Sequence, residues 1–294
     1  MWRKRILILV VLVFVLLLAG DAKISSSEQL DTIRFAIIGD YGSGGPGAAA
    51  VANMVKGWNP DFIITTGDNN YPAGQSTTID QNIGQFYHEY IYPYVGNYGP
   101  GASYNRFFPT LGNHDWMTPG AQPYLDYFTL PGNERYYDFI WGPVHFFALD
   151  NNYDEPDGFW STSIQGLWLQ ARLSSSTAPW KLVYTHVSPY SSGLYDPNPV
   201  MQWPFDDWGA TTLVSAHDHV YERLLIDDFV YFVNGLGGDM YYEFDEIIPS
   251  SMVQYNAASG AILVEASSES MTFQFFSVVD GGTLVDSYTF SQIP

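Results

Sequence analysis

The chain has 294 residues, 46% of them hydrophobic and 17% aromatic, enough to bury a substantial core. Its 31 acidic against 11 basic side chains give a net charge of −20, a surface that repels nucleic acid and anionic membranes, so neither is expected as a partner. Cysteine is absent, which excludes disulfides, thiol catalysis and thiolate metal sites; any metal must sit on His, Asp, Glu, Asn or Tyr.

Residues 1 to 22 have the form of an export signal. Arg3, Lys4 and Arg5 precede an unbroken apolar run from Ile6 to Ala19, and the small residues Gly20 and Ala22 follow. The run is shorter than the roughly 20 residues a bilayer span needs, so cleavage near Ala22 and a secreted or periplasmic protein are expected, with an uncleaved membrane tether as the alternative. Removing Arg3, Lys4, Arg5 and Asp21 leaves 8 basic against 30 acidic side chains, from 11 against 31. Such acidity suits solubility rather than any particular chemistry.

One domain, residues 31–294, follows, and a monomer is expected. Arg34 to Gly39 is a buried-strand pattern that breaks into the turn Asp40-Tyr41-Gly42-Ser43-Gly44-Gly45 and then into a helix through Val51 and Met54. Asp61 to Thr66 repeats the strand and ends in Gly67-Asp68, so two acids stand at carboxyl ends of strands, the edge where parallel α/β sheets collect ligands. Ile79 to Val95 is expected to be helical, and a Gly/Tyr/Pro-rich surface excursion leads to the turn Leu111-Gly112-Asn113-His114-Asp115. Beyond residue 135 the pattern turns to short strands: Tyr136 to Trp141, Val144 to Leu149, Lys181 to Thr185, Thr211 to Ser215, Leu224 to Val233, Ala261 to Glu265, Met271 to Val279 and Thr283 to Phe290. One amphipathic helix, about Ser163 to Leu173, interrupts them, with Ile164, Leu167, Trp168 and Leu173 near helical spacing. An α/β half followed by a strand-rich half predicts two stacked sheets with helices outside.

Four of the six histidines, His114, His186, His217 and His219, fall at strand-to-turn junctions. His217 and His219 are spaced i, i+2 after the apolar run Thr211 to Ser215, so in extended geometry their rings would share one face. Four such histidines with two strand-end acids point to a metal site, whereas His88 and His145, outside any such junction, are expected to be structural.

The turns Gly39-Asp40-Tyr41-Gly42, Gly67-Asp68-Asn69-Asn70-Tyr71, Gly112-Asn113-His114-Asp115, Val183-Tyr184-Thr185-His186 and Ala216-His217-Asp218-His219 resemble, in order, the five signature blocks of calcineurin-like metallophosphoesterases. Tyr71, three residues after Asp68, and the run His219-Val220-Tyr221-Glu222-Arg223 resemble the purple acid phosphatase branch, in particular its small tartrate-resistant type. The resemblance spans residues 33 to about 240. It implies a four-layer αββα sandwich of two mixed sheets with the site at the carboxyl ends of the strands. It also implies two metals: Asp40, Tyr71 and His219 on the first, Asn113, His186 and His217 on the second, and Asp68 bridging them. Phenolate is a hard donor suited to a trivalent ion, so Fe(III) is expected beside Tyr71, with Fe, Zn or Mn as the divalent partner.

The activity so implied is hydrolysis of small phosphate monoesters by a metal-bound hydroxide, as in an acid phosphatase, with His114 holding the phosphate or protonating the leaving group. Asp115 is expected to orient His114 or cap its turn, Arg223 to form an ion pair, and Gly235, Gly237 and Gly238 to make a tight turn near the site. Three departures stand out. Ala216 replaces the Gly that opens the last block. Val187 follows His186 where many relatives carry a second His. The first block starts 40 residues in, so a single catalytic domain is expected, without the N-terminal β-sandwich of the large plant-type enzymes. A phosphodiesterase or nucleotide/pyrophosphate hydrolase on the same core, and a non-catalytic secreted binding protein, are the alternatives.

Overall fold

A computed structural model describes residues 32–195 and 198–292. The export signal expected over residues 1–22 lies outside the described residues. Among those described, no helix is long and apolar enough to cross a membrane.

Among the described residues, thirteen strands form two mixed sheets. The first contains β1 (Ile33–Ile38), β2 (Phe62–Thr65), β3 (Phe107–Pro109), β11 (Gly260–Ala266), β12 (Ser270–Ser277) and β13 (Thr283–Ser291), in the order β13-β12-β11-β1-β2-β3. The second contains β4 (Tyr137–Trp141), β5 (Val144–Ala148), β6 (Trp180–Val187), β7 (Thr212–Ala216), β8 (Tyr221–Ile226), β9 (Phe229–Asn234) and β10 (Ser251–Tyr255), in the order β10-β8-β9-β7-β6-β5-β4. Parallel ladders run through β1-β2-β3 and through β5-β6-β7-β9, with antiparallel strands at the flanks. The helices of four residues or more with regular α geometry, among the described residues, are α1 (Pro46–Gly57), α2 (Asn113–Trp116), α3 (Gln122–Tyr127) and α4 (Ile164–Ser175). The two stacked mixed sheets with flanking helices are the expected αββα arrangement.

The central strands are apolar on both faces because both faces are covered. In β5, Val144, Phe146 and Ala148 enter the core between the sheets, whereas Phe147 turns outward against Leu169 and Leu173 of α4. In β9, Val230 and Phe232 divide from Tyr231 and Val233 in the same way. The inter-sheet layer is largely aromatic. Phe62 packs edge-on against Phe146 at 5.3 Å between centroids, Phe232 stacks on Phe273 at 4.6 Å, and Tyr221 stacks on Phe275 at 3.9 Å. Each buried ring of this kind contributes about 1.5–3 kcal/mol through burial.

The structure corrects several expectations. Leu224 to Val233 is not one strand but the end of β8, a hairpin turn and most of β9. Asp227 and Asp228 both take positive φ, 49° and 67°, the backbone of a two-residue I′-type turn whose twist matches its strands. The helical segment after residue 79 is a chain of short irregular turns ending at Tyr90, not Val95. Ile91 is already extended, and Pro93 cannot donate to a helix. The residues expected to be a surface excursion include β3, which pairs with β2, and Ser251–Tyr255 forms an edge strand that was not anticipated. Helix α4 buries Gln165, Gly166, Leu169 and Leu173, while Ile164 and Leu167 are exposed. Gln165 is inside because its amide accepts from Asp150 N–H and donates to the carbonyls of Asp150 and Gly158, tying the helix to the chain after β5.

Candidate metal centre

The carboxyl ends of β1, β2, β6 and β7 converge at one edge of the sandwich, and the turns leaving them carry the motif residues. Asp40 and Asp68 follow β1 and β2 in left-handed backbone, φ 54° and 50°. Aspartate tolerates that region better than most residues. The two turns are tied together by Asp40 N–H to Gly67 O at 3.1 Å and Gly42 N–H to Asp68 O at 3.2 Å. Two glycines make the crowding possible. A Cβ on Gly112 would stand 2.2 Å from both the Asp68 nitrogen and its Oδ1, and one on Gly67, itself at φ 92°, would meet the His186 ring at 2.6 Å.

His217 is not extended, as the i, i+2 reading required: β7 ends at Ala216 and His217 has φ 69°. The twist points His217 and His219 at opposite ends of the site instead of onto one face. His217 Nδ1 lies 3.2 Å from His186 Nε2, whereas His219 Nε2 lies 3.3 Å from Asp40 Oδ1 and 3.3 Å from the Tyr71 hydroxyl. A non-glycine residue held there is strained backbone, and such strain gathers at functional sites.

All eight predicted residues come together, in two groups. In the first, Asp40, Tyr71 and His219 touch one another, with Tyr71 Oη 3.0 Å from Asp40 Oδ1. In the second, His186 Nε2 is 2.9 Å from Asn113 Oδ1, with His217 beside it. Asp68 adjoins the second group through His186 Nε2 at 3.4 Å, and its ligand oxygen, one of Asp40 and a nitrogen of His186 all lie within 4.8 Å of one another. His114 stands at the margin. Its backbone N–H donates to Asp68 Oδ1 at 2.8 Å and its ring Nε2 lies 3.9 Å from Asp68 Oδ2.

Backbone carbonyls fix the imidazoles. His186 Nδ1 donates to Thr66 O at 2.8 Å, His219 Nδ1 to Met240 O at 2.7 Å and His114 Nδ1 to Pro72 O at 2.6 Å. A carbonyl only accepts, so each Nδ1 carries a proton, and Nε2 of His186 and His219 is the nitrogen turned to the carboxylates, the orientation a metal ligand requires once that nitrogen gives up its own proton. Sequence gave no sign of Met240, nor of the Tyr242 ring that stacks on His219 at 4.2 Å. Asp115 caps the α2 turn, accepting from Gly112 N–H at 2.9 Å and from Asn69 N–H and side chain, while the His114 ring is held by Pro72 O instead. Asn69 belongs to the scaffold, taking Thr65 Oγ1 at 2.6 Å and the Tyr41 hydroxyl at 3.0 Å. Gly237 N–H donates to Gly39 O at 2.8 Å, so the glycine turn packs against the β1 turn. His88 and His145 lie elsewhere, on Pro100 O and between Asp138 and Ser176. Arg223 pairs with Asp286, not with its neighbour Glu222.

The electrostatics call for a cation. Asp40 and Asp68 are buried, and no Lys or Arg among the described residues is ion-paired to either. Burial alone would raise the Asp68 carboxyl, but His186 and His114 outweigh it and hold it well below the usual carboxylate range. Burial would lower His186, yet Asp68 and Asp40 pull it up to about 10, while burial and the charge of His186 push His217 down to about 4. Burial, then Asp40 and Asp68, keep the Tyr71 phenol protonated far above its ordinary range. A site that binds a proton on a buried imidazole so firmly demands positive charge, and hard oxygen donors with imidazole lone pairs fit first-row metal ions.

The sequence profile of calcineurin-like phosphoesterases matches residues 33–221, which covers all five motif turns. The chain belongs to the calcineurin-like phosphoesterase family. Its structure is similar to the purple acid phosphatase PPD1 of yellow lupin (Lupinus luteus), with TM-score 0.74 at 19% identity over 90% of this chain and 54% of that one. The chain thus spans about half the length of the lupin enzyme. GAP50, described as the anchor in the inner membrane complex of Plasmodium, matches with TM-score 0.69 at 17% identity over 90% of both chains, and PhoD with TM-score 0.54 at 11% identity over 88% of this chain and 70% of that one. At such identities the similarity shows a shared fold. No curated protein sequence matches the chain.

Proposed function

We propose that the chain is an exported dinuclear-metal phosphatase that hydrolyses phosphate monoesters. The observation that supports this best is the pairing of two donor groups, Asp40/Tyr71/His219 and Asn113/His186/His217, with Asp68 beside them and His114 at their margin. Asp40, Tyr71 and His219 would hold one ion, Asn113, His186 and His217 the other, and Asp68 both. When bound, two ions in such a site supply Lewis-acid charge to phosphoryl oxygens and acidify water.

The protein contributes position and a proton. Asp68 holds the His114 backbone, and Pro72 O holds its ring by Nδ1, so Nε2 is the atom free to meet the ester. A protonated Nε2 would donate to a phosphoryl or leaving-group oxygen, leaving a neutral ring whose Nδ1–H stays on the Pro72 carbonyl and keeps Nε2 aimed at the ester. Tyr71 as a phenolate ligand favours Fe(III) in the first position, with Fe, Zn or Mn in the second. Export rests on the sequence of residues 1–22 alone.

The test is elemental analysis of purified protein alongside hydrolysis of p-nitrophenyl phosphate. Two metal ions per chain with chelator-sensitive hydrolysis supports the reading; metal-loaded protein inert toward every phosphate ester overturns it. The match to GAP50, described as an anchor, over 90% of both chains makes an anchoring protein the second reading. A full donor set around Asp68 favours catalysis over it, because a site released from catalysis has no need of seven converging ligands.

A further inference from the structure

A cleft of about 420 Å³ opens where Asn113 and His217 end, walled by Asn152, Tyr153, Tyr195 and Asn198 among others. We infer that it takes the leaving group of the ester and that this group is uncharged and ring-bearing, a phenol or a sugar, not a second phosphate or another anion. The inference rests on the phosphate-ester reading above and names its substrate class.

Charge is the first argument. No Lys, Arg, Asp or Glu lines the cleft among the described residues. The cations of the described chain are committed elsewhere: Arg34, Arg135, Arg172 and Arg223 pair with Glu265, Glu155, Asp138 and Asp286, and Arg106 is held by the carbonyls of Pro60 and Asp61. Lys56 faces Glu89. Lys181 stands near the start of β6, five residues from His186 and therefore roughly 16 Å along the strand. A nucleoside polyphosphate, a pyrophosphate or a sugar bisphosphate would bring a further anion into a chain of net charge −20 with nothing in the wall to receive it.

Shape and donors are the second argument. Tyr195 lies over the His217 ring at 4.5 Å, tilted by 30°, and is nevertheless 51% exposed. Tyr153 is braced edge-on against Phe159 at 4.9 Å and is 79% exposed. Two fixed aromatic faces standing open beside a phosphate site are suited to covering a ring. Asn152 Oδ1 accepts from Asp154 N–H at 2.9 Å and Asn198 Oδ1 from Val200 N–H at 3.1 Å, which leaves each amide with its Nδ2 hydrogens to donate. Those neutral donors match hydroxyl, ether or carbonyl oxygens on the ring. In the reaction, water gives a hydroxyl to phosphorus, the P–O bond to the ring-bearing oxygen breaks, and the proton passes to that oxygen.

The experiment uses metal-loaded protein and two non-hydrolysable probes, phenylphosphonate and methylphosphonate, followed by calorimetry. Phenylphosphonate is expected to bind about 2- to 10-fold more tightly, and the difference to vanish in Tyr153→Ala with Tyr195→Ala, while metal content is unchanged. In hydrolysis, phenyl phosphate and glucose 6-phosphate should exceed both glycerol 2-phosphate and pyrophosphate in kcat/KM. Asn198→Arg, which needs no folding of a new core, should raise kcat/KM for pyrophosphate about 10-fold by supplying the missing cation. Equal binding of the two phosphonates, or a wild-type preference for pyrophosphate, overturns the inference while leaving the phosphatase reading intact. Failure to hydrolyse any ester overturns the phosphatase reading, and the inference with it.

Discussion

Asp68 is the residue on which the two donor groups depend, and two substitutions there separate its electrostatic role from its structural one. Asp68→Asn keeps an oxygen for the His114 backbone N–H, which now bonds at 2.8 Å, but removes the charge; Asp68→Ala removes both. The carboxylate is buried, so the alanine leaves a part-buried N–H unpartnered, at a cost of about 1–3 kcal/mol that the asparagine avoids. For a domain of this size each kcal/mol moves Tm by about 2 °C, so the alanine variant should melt about 2–6 °C below the asparagine variant in chelator. Metal binding should fall in both, because neither can offer an anionic oxygen to two ions. Metal stoichiometry by elemental analysis and melting curves with and without chelator read the two effects separately: wild type should lose stability on chelation, and both variants should be nearly indifferent to it. Two tightly held ions in Asp68→Asn, with normal turnover, would refute the bridging role.

Tyr71→Phe should abolish a broad visible charge-transfer band of the purified protein; a colourless, fully active wild type would remove the iron assignment and leave the dimetal hydrolase standing. His114→Ala should keep both metals and lower kcat by about 10²- to 10⁴-fold, with the larger loss on an alkyl ester, whose alkoxide needs a proton more than an activated phenolate does. Equal losses on alkyl and aryl esters would assign His114 to the phosphate oxygens instead. Asp138 is raised by burial but lowered further by His145 and Arg172, so its carboxyl titrates below the ordinary value near 4. Its contribution is therefore present above about pH 4 and lost as pH falls through the depressed value. Asp138→Asn should lower Tm at pH 7 by about 2 °C or less, the partner Arg172 being solvent-exposed, and the difference should shrink in melts below pH 3.5; a constant difference would exclude the ionic origin.

The site was more legible in the sequence than the fold around it. Gly-Asp at a strand end is a short-range signal, because the acid must take left-handed backbone while the glycine before it lets the neighbouring turn approach; both Asp40 and Asp68 sit where that chemistry put them. Gly112 is the same signal seen from the other side. What sequence concealed depended on tertiary partners. Asp227-Asp228 sits between apolar residues and looks like a polar blemish in one strand until its positive φ values are seen. Gln165 inside α4 is fixed by Asp150 and Gly158 in the chain before the helix, and the twisted His217 by Asp40 and His186, which lie 177 and 31 residues away. Tyr153 and Tyr195 belong to no motif, and only their position beside His217 marks them.

Crystals of metal-loaded, catalytically active protein, measured for anomalous scattering, test the dinuclear centre most directly. Two peaks are expected, one among Asp40, Tyr71 and His219, the other among Asn113, His186 and His217, with the Asp68 carboxylate between them. A single peak in fully active protein, or ions held by residues outside these two groups, would contradict the assignment.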